Sequence, residues 1–146
     1  MDISQIVDRI AVIDVLIRYA TACDRRDWRL FDDIFLPDVK TDYGNGLYTF
    51  NNRQDVVNLI RSFLGGCGPT QHLLGNYRID LEGDMANSVC SVRAFHVGIS
   101  DAAGLTYEMA GEYRDHLKRT KDGWRIARRA LVVNWEQGSR KVLRPG

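Results

Sequence analysis

From Thr70 onward the chain is a succession of long strand-like runs, each about ten to fifteen residues, broken only where turn residues cluster at Glu82-Gly83-Asp84, at 101–104 and at Lys121-Asp122-Gly123. Such clusters between apolar runs read as hairpin turns. The runs exceed the usual strand of about five or six residues. Strands of that length must bend, and a bent sheet curls around a space. The segments before Thr70 have a different period. In residues 3–24, Ile3, Ile6, Ile10, Ile13, Ile17 and Ala20 recur at steps of three and four, which is a helical stripe. A parallel line, Val12, Leu16, Tyr19 and Cys23, widens the apolar face, and Ser4 is placed to cap the start.

Asp27 opens a shorter helical segment through Trp28, Leu30, Phe31, Ile34 and Phe35 that Pro37 should end. Residues 39–43 read as a strand, and Gly44-Asn45-Gly46 turns the chain into a partner at 47–50. Asn51 or Asn52 caps a further helix carrying Val56, Val57, Leu59, Ile60, Phe63 and Leu64, which Gly65-Gly66 and Gly68-Pro69 stop. Helices first and antiparallel strands after them define an α+β domain with helices packed on one face of a curved sheet. One domain over 1–138 and a polar tail over 139–146 account for the whole length. With Arg140, Lys141 and Arg144, that tail is either mobile or a lid.

Charge excludes whole classes of partner. With 20 basic and 19 acidic side chains the net charge is +1, too little to draw nucleic acid or an anionic membrane. The locally basic stretch 118–129 is interrupted by Asp122 and reads as a solvated sheet face. No stretch is long and apolar enough to span a bilayer, and the start, Met1-Asp2-Ile3-Ser4-Gln5, is not a signal peptide. Cys23, Cys67 and Cys90 form no CxxC pair, which fits reduced core thiols in the cytoplasm.

The chemistry-bearing candidates are few. Extending Ile3, Ile10 and Ile17 by one heptad reaches Asp24, so the stripe aims a carboxylate at the interior; a loop or capping residue is the other reading. His72 opens the first long strand in Thr70-Gln71-His72-Leu73. If the two meet, the carboxylate orients one ring nitrogen and leaves the other to take a proton, a base pair lacking a serine or cysteine nucleophile. Tyr19 and Tyr43 can donate to a carbonyl oxygen, or can be core tyrosines. His96 and Asp115 alternate on strand faces that can reach the cavity or serve structure. His72, His96 and a carboxylate match no metal-ligand spacing, and no glycine-rich phosphate loop follows a strand. Neither metal nor cofactor is expected.

The series Leu16-Ile17-Arg18-Tyr19-Ala20, Asp24-Arg25-Arg26-Asp27-Trp28, Phe35, Asp42-Tyr43-Gly44, Thr70-Gln71-His72 and Asp122-Gly123-Trp124-Arg125-Ile126 resembles the SnoaL-like branch of the nuclear transport factor 2-like superfamily. That branch includes scytalone dehydratase, bacterial bile-acid 7α-dehydratase and the lindane dehydrochlorinase. The resemblance implies a cone of mixed, mostly antiparallel sheet, a half-barrel closed by the N-terminal helices. It also implies an Asp–His pair, here Asp24 and His72, working with Tyr19 and Tyr43 to remove a proton and expel a leaving group. His96, Tyr113, Asp115 and Arg119, with Phe35 and Trp28, are then expected to contact substrate. The late arginine of the bile-acid enzyme matches either Arg128 or Arg129, and Cys23 stands where scytalone dehydratase has a tyrosine. The implied activity is a cofactor-independent lyase, dehydratase-like, on a small cyclic hydroxy-carbonyl compound. Double-bond isomerisation by the same base and a non-catalytic binding or assembly module are the alternatives. A homo-oligomer, trimer or dimer, is implied as well.

Overall fold

The computed structural model describes residues 1–143. Helix α1 spans Ile3–Arg25, and Asp2 caps it rather than Ser4: its carboxylate accepts from the Gln5 N–H while the Gln5 side chain accepts from the Asp2 N–H. A six-residue 3-10 turn, Trp28–Asp33, follows without a side-chain cap from Asp27. Strand β1, Phe35–Tyr43, starts earlier than the apolar pattern suggested and runs through Pro37. Strand β2, Tyr48–Phe50, returns beside it, and α2, Arg53–Leu64, is capped by Asn52. The long strands are β3, Thr70–Glu82; β4, Met85–Val97; β5, Thr106–Thr120; and β6, Gly123–Gly138.

Together they make one mixed sheet in the order β2-β1-β6-β5-β4-β3, curved but not closed into a barrel. Among the described residues only β1 and β6 run parallel; every other pair is antiparallel. Register shifts interrupt β1–β6, β3–β4 and, twice, β5–β6. Each such bulge adds local twist and bends the strand. At Gly111, beside one of them, a Cβ would lie 1.9 Å from the Val132 carbonyl oxygen. Only glycine lets the two backbones approach so closely there.

The face that α1 turns inward differs from the isoleucine stripe. Val12, Val15, Leu16, Tyr19, Ala22 and Cys23 are buried, whereas Ile3, Ile10 and Ile17 are 80%, 63% and 46% exposed. Both lines have helical spacing, so periodicity alone could not choose between them. The core line holds the aromatic and small side chains that fit the concave sheet. Asp24, next to Cys23, reaches the interior because the start of β3 lies against the last turn of α1. The stretch expected to be a polar tail is partly structured: Arg140–Leu143 forms a 3-10 turn with Val142 buried. Arg144 lies outside the described residues. No described helix is long and apolar enough to cross a membrane.

Candidate functional site

Helix α1 stops just beyond Asp24. Arg26 takes a left-handed conformation (φ 54°), and its N–H returns to the Ala22 and Cys23 carbonyls. That ending leaves Asp24 facing the first residues of β3. Its Oδ1 lies 2.7 Å from His72 Nδ1 and accepts the Thr70 hydroxyl at 2.9 Å, while Oδ2 accepts the His72 backbone N–H at 2.9 Å. The His72 side chain is 7% exposed and that of Asp24 24%. Burial pushes the Asp24 carboxyl up, but the hydrogen bonds from the His72 ring and backbone and from Thr70 outweigh it and hold the group below its ordinary value. Asp24 is therefore ionised at neutral pH. Its charge assigns the proton on His72 to Nδ1, and Nε2 is the nitrogen left to accept another.

His72 opens onto a cavity of about 260 Å³ between the helices and the concave sheet. Ile60, Phe63, Leu64, Ala94, Met109, Leu131 and Val133 supply apolar wall; Tyr19, Tyr43, Tyr113, Cys23 and His96 supply polar atoms. Glu136, Arg140 and Leu143 also line it, so the C-terminal turn forms part of the enclosure. The His96 ring stands 5.8 Å from that of His72. Its Nδ1 donates to the Tyr107 carbonyl at 3.1 Å, and burial, helped by His72, pushes its pKa down to about 4. His96 is thus a neutral acceptor through Nε2. Burial likewise pushes the Cys23 thiol up to about 12, which leaves no thiolate nucleophile there.

Beneath the cavity wall, the Tyr19 and Tyr113 rings of its lining pack on one buried ion pair. Tyr43 donates to the Tyr19 hydroxyl at 2.7 Å, and burial raises both phenols, keeping them protonated donors. Arg129 lies between two aromatic faces, its guanidinium carbon 4.2 Å from the Tyr19 centroid and 4.0 Å from that of Tyr113. It grips Asp115 with two bonds of 2.7 and 2.8 Å, both side chains being 0% exposed. Burial opposes the charge on Arg129, but Asp115 overcomes it and holds the guanidinium protonated. Cross-strand register sets Thr41, Arg129, Asp115 and Ser88 in one row, and Thr41 Oγ1, Arg129 Nη1 and Ser88 Oγ have no hydrogen-bond partner among the described residues.

The structure thus brings His72, Tyr19, Tyr43, His96 and Tyr113 to one cavity, with Asp24 bonded to His72 behind its wall. It does not bring the others there. Asp115 lies beneath the wall on Arg129, and Phe35 is buried against Tyr19 and Phe31. Trp28 borders a separate surface groove. Arg119 sits on the outside, gripping Asp8 and Asp84 over the Trp124 ring. Arg129 departs from the solvated face read over 118–129, and a bulge is the reason. Leu117 pairs with Ile126 but His116 pairs with Arg128, so Ala127 is extra and the inward series becomes Trp124, Ile126, Arg129. Strict alternation would have turned Arg128 inward.

Residues 4–130 match the sequence profile of the SnoaL-like domain. The chain belongs to the SnoaL-like family. Its fold is shared with a Salmonella enterica protein of the nuclear transport factor 2-like superfamily, at a TM-score of 0.77 and 16% identity over 89% of this chain and 92% of that one. The protein is 30% identical over 135 residues to an uncharacterized protein of Mycobacterium tuberculosis, with 88% of this chain and 87% of the relative covered. Among solved structures, a Novosphingobium aromaticivorans protein bearing the name of an aromatic ring hydroxylase is 26% identical at a TM-score of 0.84, covering 95% of this chain and 98% of its own. One from the same organism bearing the name of a scytalone dehydratase superimposes at 0.85 with 19% identity, covering 94% and 91%. The hexachlorocyclohexane dehydrochlorinase LinA-type3 of Novosphingobium barchaimii follows at 0.81 with 16% identity, covering 95% and 94%. The last two likenesses speak for the SnoaL-like protein's fold.

Proposed function

We propose that this SnoaL-like protein is a cofactor-independent carbon–oxygen lyase, a dehydratase acting on a compact, mostly apolar hydroxy-carbonyl compound. The observation that carries the reading is the Asp24–His72 pair opening on a mostly apolar cavity that also holds two hydrogen-bonded phenols. His72 Nε2 removes the proton on the carbon next to the carbonyl, and Asp24 stabilises the imidazolium that results. Tyr19 donates to the enolate oxygen as charge develops there, and Tyr43, donating in turn to Tyr19, strengthens that bond. The buried Arg129 cation favours negative charge at Tyr43, working against its burial. The enolate collapses, the β carbon–oxygen bond breaks, and the proton held by His72 leaves with the hydroxide as water. One C–H and one C–O bond are lost and one carbon–carbon double bond forms. A well-placed base supplies roughly 10²–10⁴-fold, and exclusion of bulk water with fixed orientation must supply much of the remainder.

The test is turnover of a panel of cyclic hydroxy-ketones, aromatic and steroid-like, by the wild type and by His72→Ala. Water loss is read by mass spectrometry and exchange of the α-hydrogen is followed in D₂O. Both should occur in the wild type and vanish in the variant. Exchange without water loss would assign the same base to double-bond isomerisation. Binding with neither event in either protein would leave a ligand-binding module.

A further inference from the structure

The base pair is held by a residue that never touches the cavity. Arg26 follows α1 in the left-handed region, an uncommon place for a side chain other than glycine or asparagine. Its guanidinium spans the three segments that meet at the site. Nε donates to the Leu64 carbonyl at the end of α2 (3.1 Å), and Nη2 to Gly68 ahead of β3 (2.6 Å). Nη1 donates to the Cys23 carbonyl (3.0 Å), the Asp24 carbonyl (3.3 Å) and the Thr70 hydroxyl (2.7 Å). A guanidinium has no acceptor, so Thr70 Oγ1 must receive that bond, and its single proton is free to go only onward. The onward partner is Asp24 Oδ1 at 2.9 Å.

We propose that Arg26 and Thr70 form a one-way hydrogen-bond relay that fixes the Asp24 carboxylate, and through it the His72 ring, in the orientation that aims Nε2 into the cavity. As an account of catalysis the proposal rests on His72 being the base. Without the relay, Oδ1 keeps only the His72 ring and Oδ2 only the His72 backbone N–H, so the carboxylate can turn about its last bond and the ring with it. With it, Oδ1 has two donors, the His72 ring and a Thr70 hydroxyl that Arg26 holds from the end of α1. Reacting groups have to be held within about 0.5 Å and 10–20°. A misplacement near 1 Å costs on the order of 10²-fold in rate.

Thr70→Val keeps the shape and the β-branching while removing the hydroxyl; Thr70→Ser keeps the hydroxyl. The Nδ1 proton of a histidine bonded to a carboxylate resonates far downfield, so it reports the Asp24–His72 contact without any substrate. In Thr70→Val that signal should broaden or move upfield, and kcat should fall about ten- to a hundredfold with KM within about twofold. Thr70→Ser should restore both. Arg26→Lys, whose ammonium cannot bridge all of these oxygens, should resemble Thr70→Val and serves as the second variant should the valine protein fold poorly. An unchanged signal and unchanged kcat in Thr70→Val overturn the relay, as does a serine variant as impaired as the valine one. If the signal responds as stated while the wild type turns over nothing in the hydroxy-ketone panel, the relay stands and the lyase reading falls.

Discussion

Replacing Asp115 by leucine leaves Arg129 in a fully buried position with its charge unanswered, since both bonds to the guanidinium's Nε and Nη2 come from that one carboxylate. Arginine cannot shed its proton under ordinary conditions, so the protein has no chemical escape. Breaking a buried pair in this way costs about 3–5 kcal/mol. At about 2.1 cal/mol/K of unfolding entropy per residue, a chain of 146 residues has roughly 0.3 kcal/mol/K, so the loss lowers Tm by about 10–16 °C. The reverse substitution, Arg129→Met, should cost less. Burial already pushes the Asp115 carboxyl upward, and once alone it can take up a proton and become neutral. The double variant, Asp115→Leu with Arg129→Met, should return to within about 2 kcal/mol of the wild type. Its turnover should stay low, because the cation beneath Tyr19 is gone. Urea denaturation and calorimetry of the four proteins give the cycle. The reasoning is refuted if Asp115→Leu lies within about 1 kcal/mol of the wild type, or if the double variant is no more stable than it.

Asp24→Asn should reduce turnover by roughly 10²–10⁴-fold: a charge-assisted bond is lost, and the amide turned toward Nδ1 favours the tautomer whose Nε2 already carries a proton. Substrate-dependent water loss measures it, and a loss below about threefold would argue against Asp24 as the orienting group. Because the folded-state pKa of Asp24 is depressed, the stability that its ionisation contributes is fully present above about pH 4 and disappears as pH falls through the folded value. The stability gap between wild type and Asp24→Asn should accordingly narrow below pH 4 in urea titrations and stay level from pH 5 to 7. Tyr43→Phe removes the donor to Tyr19 and should cost about 10²–10³ in kcat with only about 1 kcal/mol in stability, read by kinetics and melting together.

Much of the site was legible because its residues carry short-range signatures. Tyr19, Asp24, Tyr43 and His72 sit at defined places relative to a helix end, a hairpin turn and a strand start, and those boundaries are written in local composition. Turn residues likewise fixed the long strands to within a few positions. What stayed hidden depends on tertiary packing. The choice between two apolar lines on α1 is made by the sheet that receives it, so Ile3, Ile10 and Ile17 were placed inward although they face out. Arg129 was hidden by one extra residue in β6, which reverses the inside and outside of the strand beyond it. Arg119 had the right chemistry on the wrong surface. Val142 was invisible in a polar context, because its neighbours come from distant parts of the sequence, among them Cys67, whose thiol donates to its carbonyl.

The parallel pairing of β1 with β6 has a consequence for the order of assembly. Phe35 meets Ile126 and Tyr43 meets Leu131, partners about ninety residues apart, and among the described residues β2 is the one other strand that pairs with β1. Contacts so distant in sequence are slow to form, because the intervening loop must be closed before they contribute. On a ribosome, α1, α2 and the β3–β5 meander emerge first, and with them Asp24 and His72. Until β6 arrives, β5 presents an open edge, and the β1–β2 hairpin has no place in the sheet. Tyr43 and Arg129 therefore join Tyr19 only once β6 has emerged, when both its sides zip at once. A nascent chain halted before Gly123 holds the base pair in sequence but has neither the cation nor the paired phenols, and it displays the sticky strand edge that chaperones must cover.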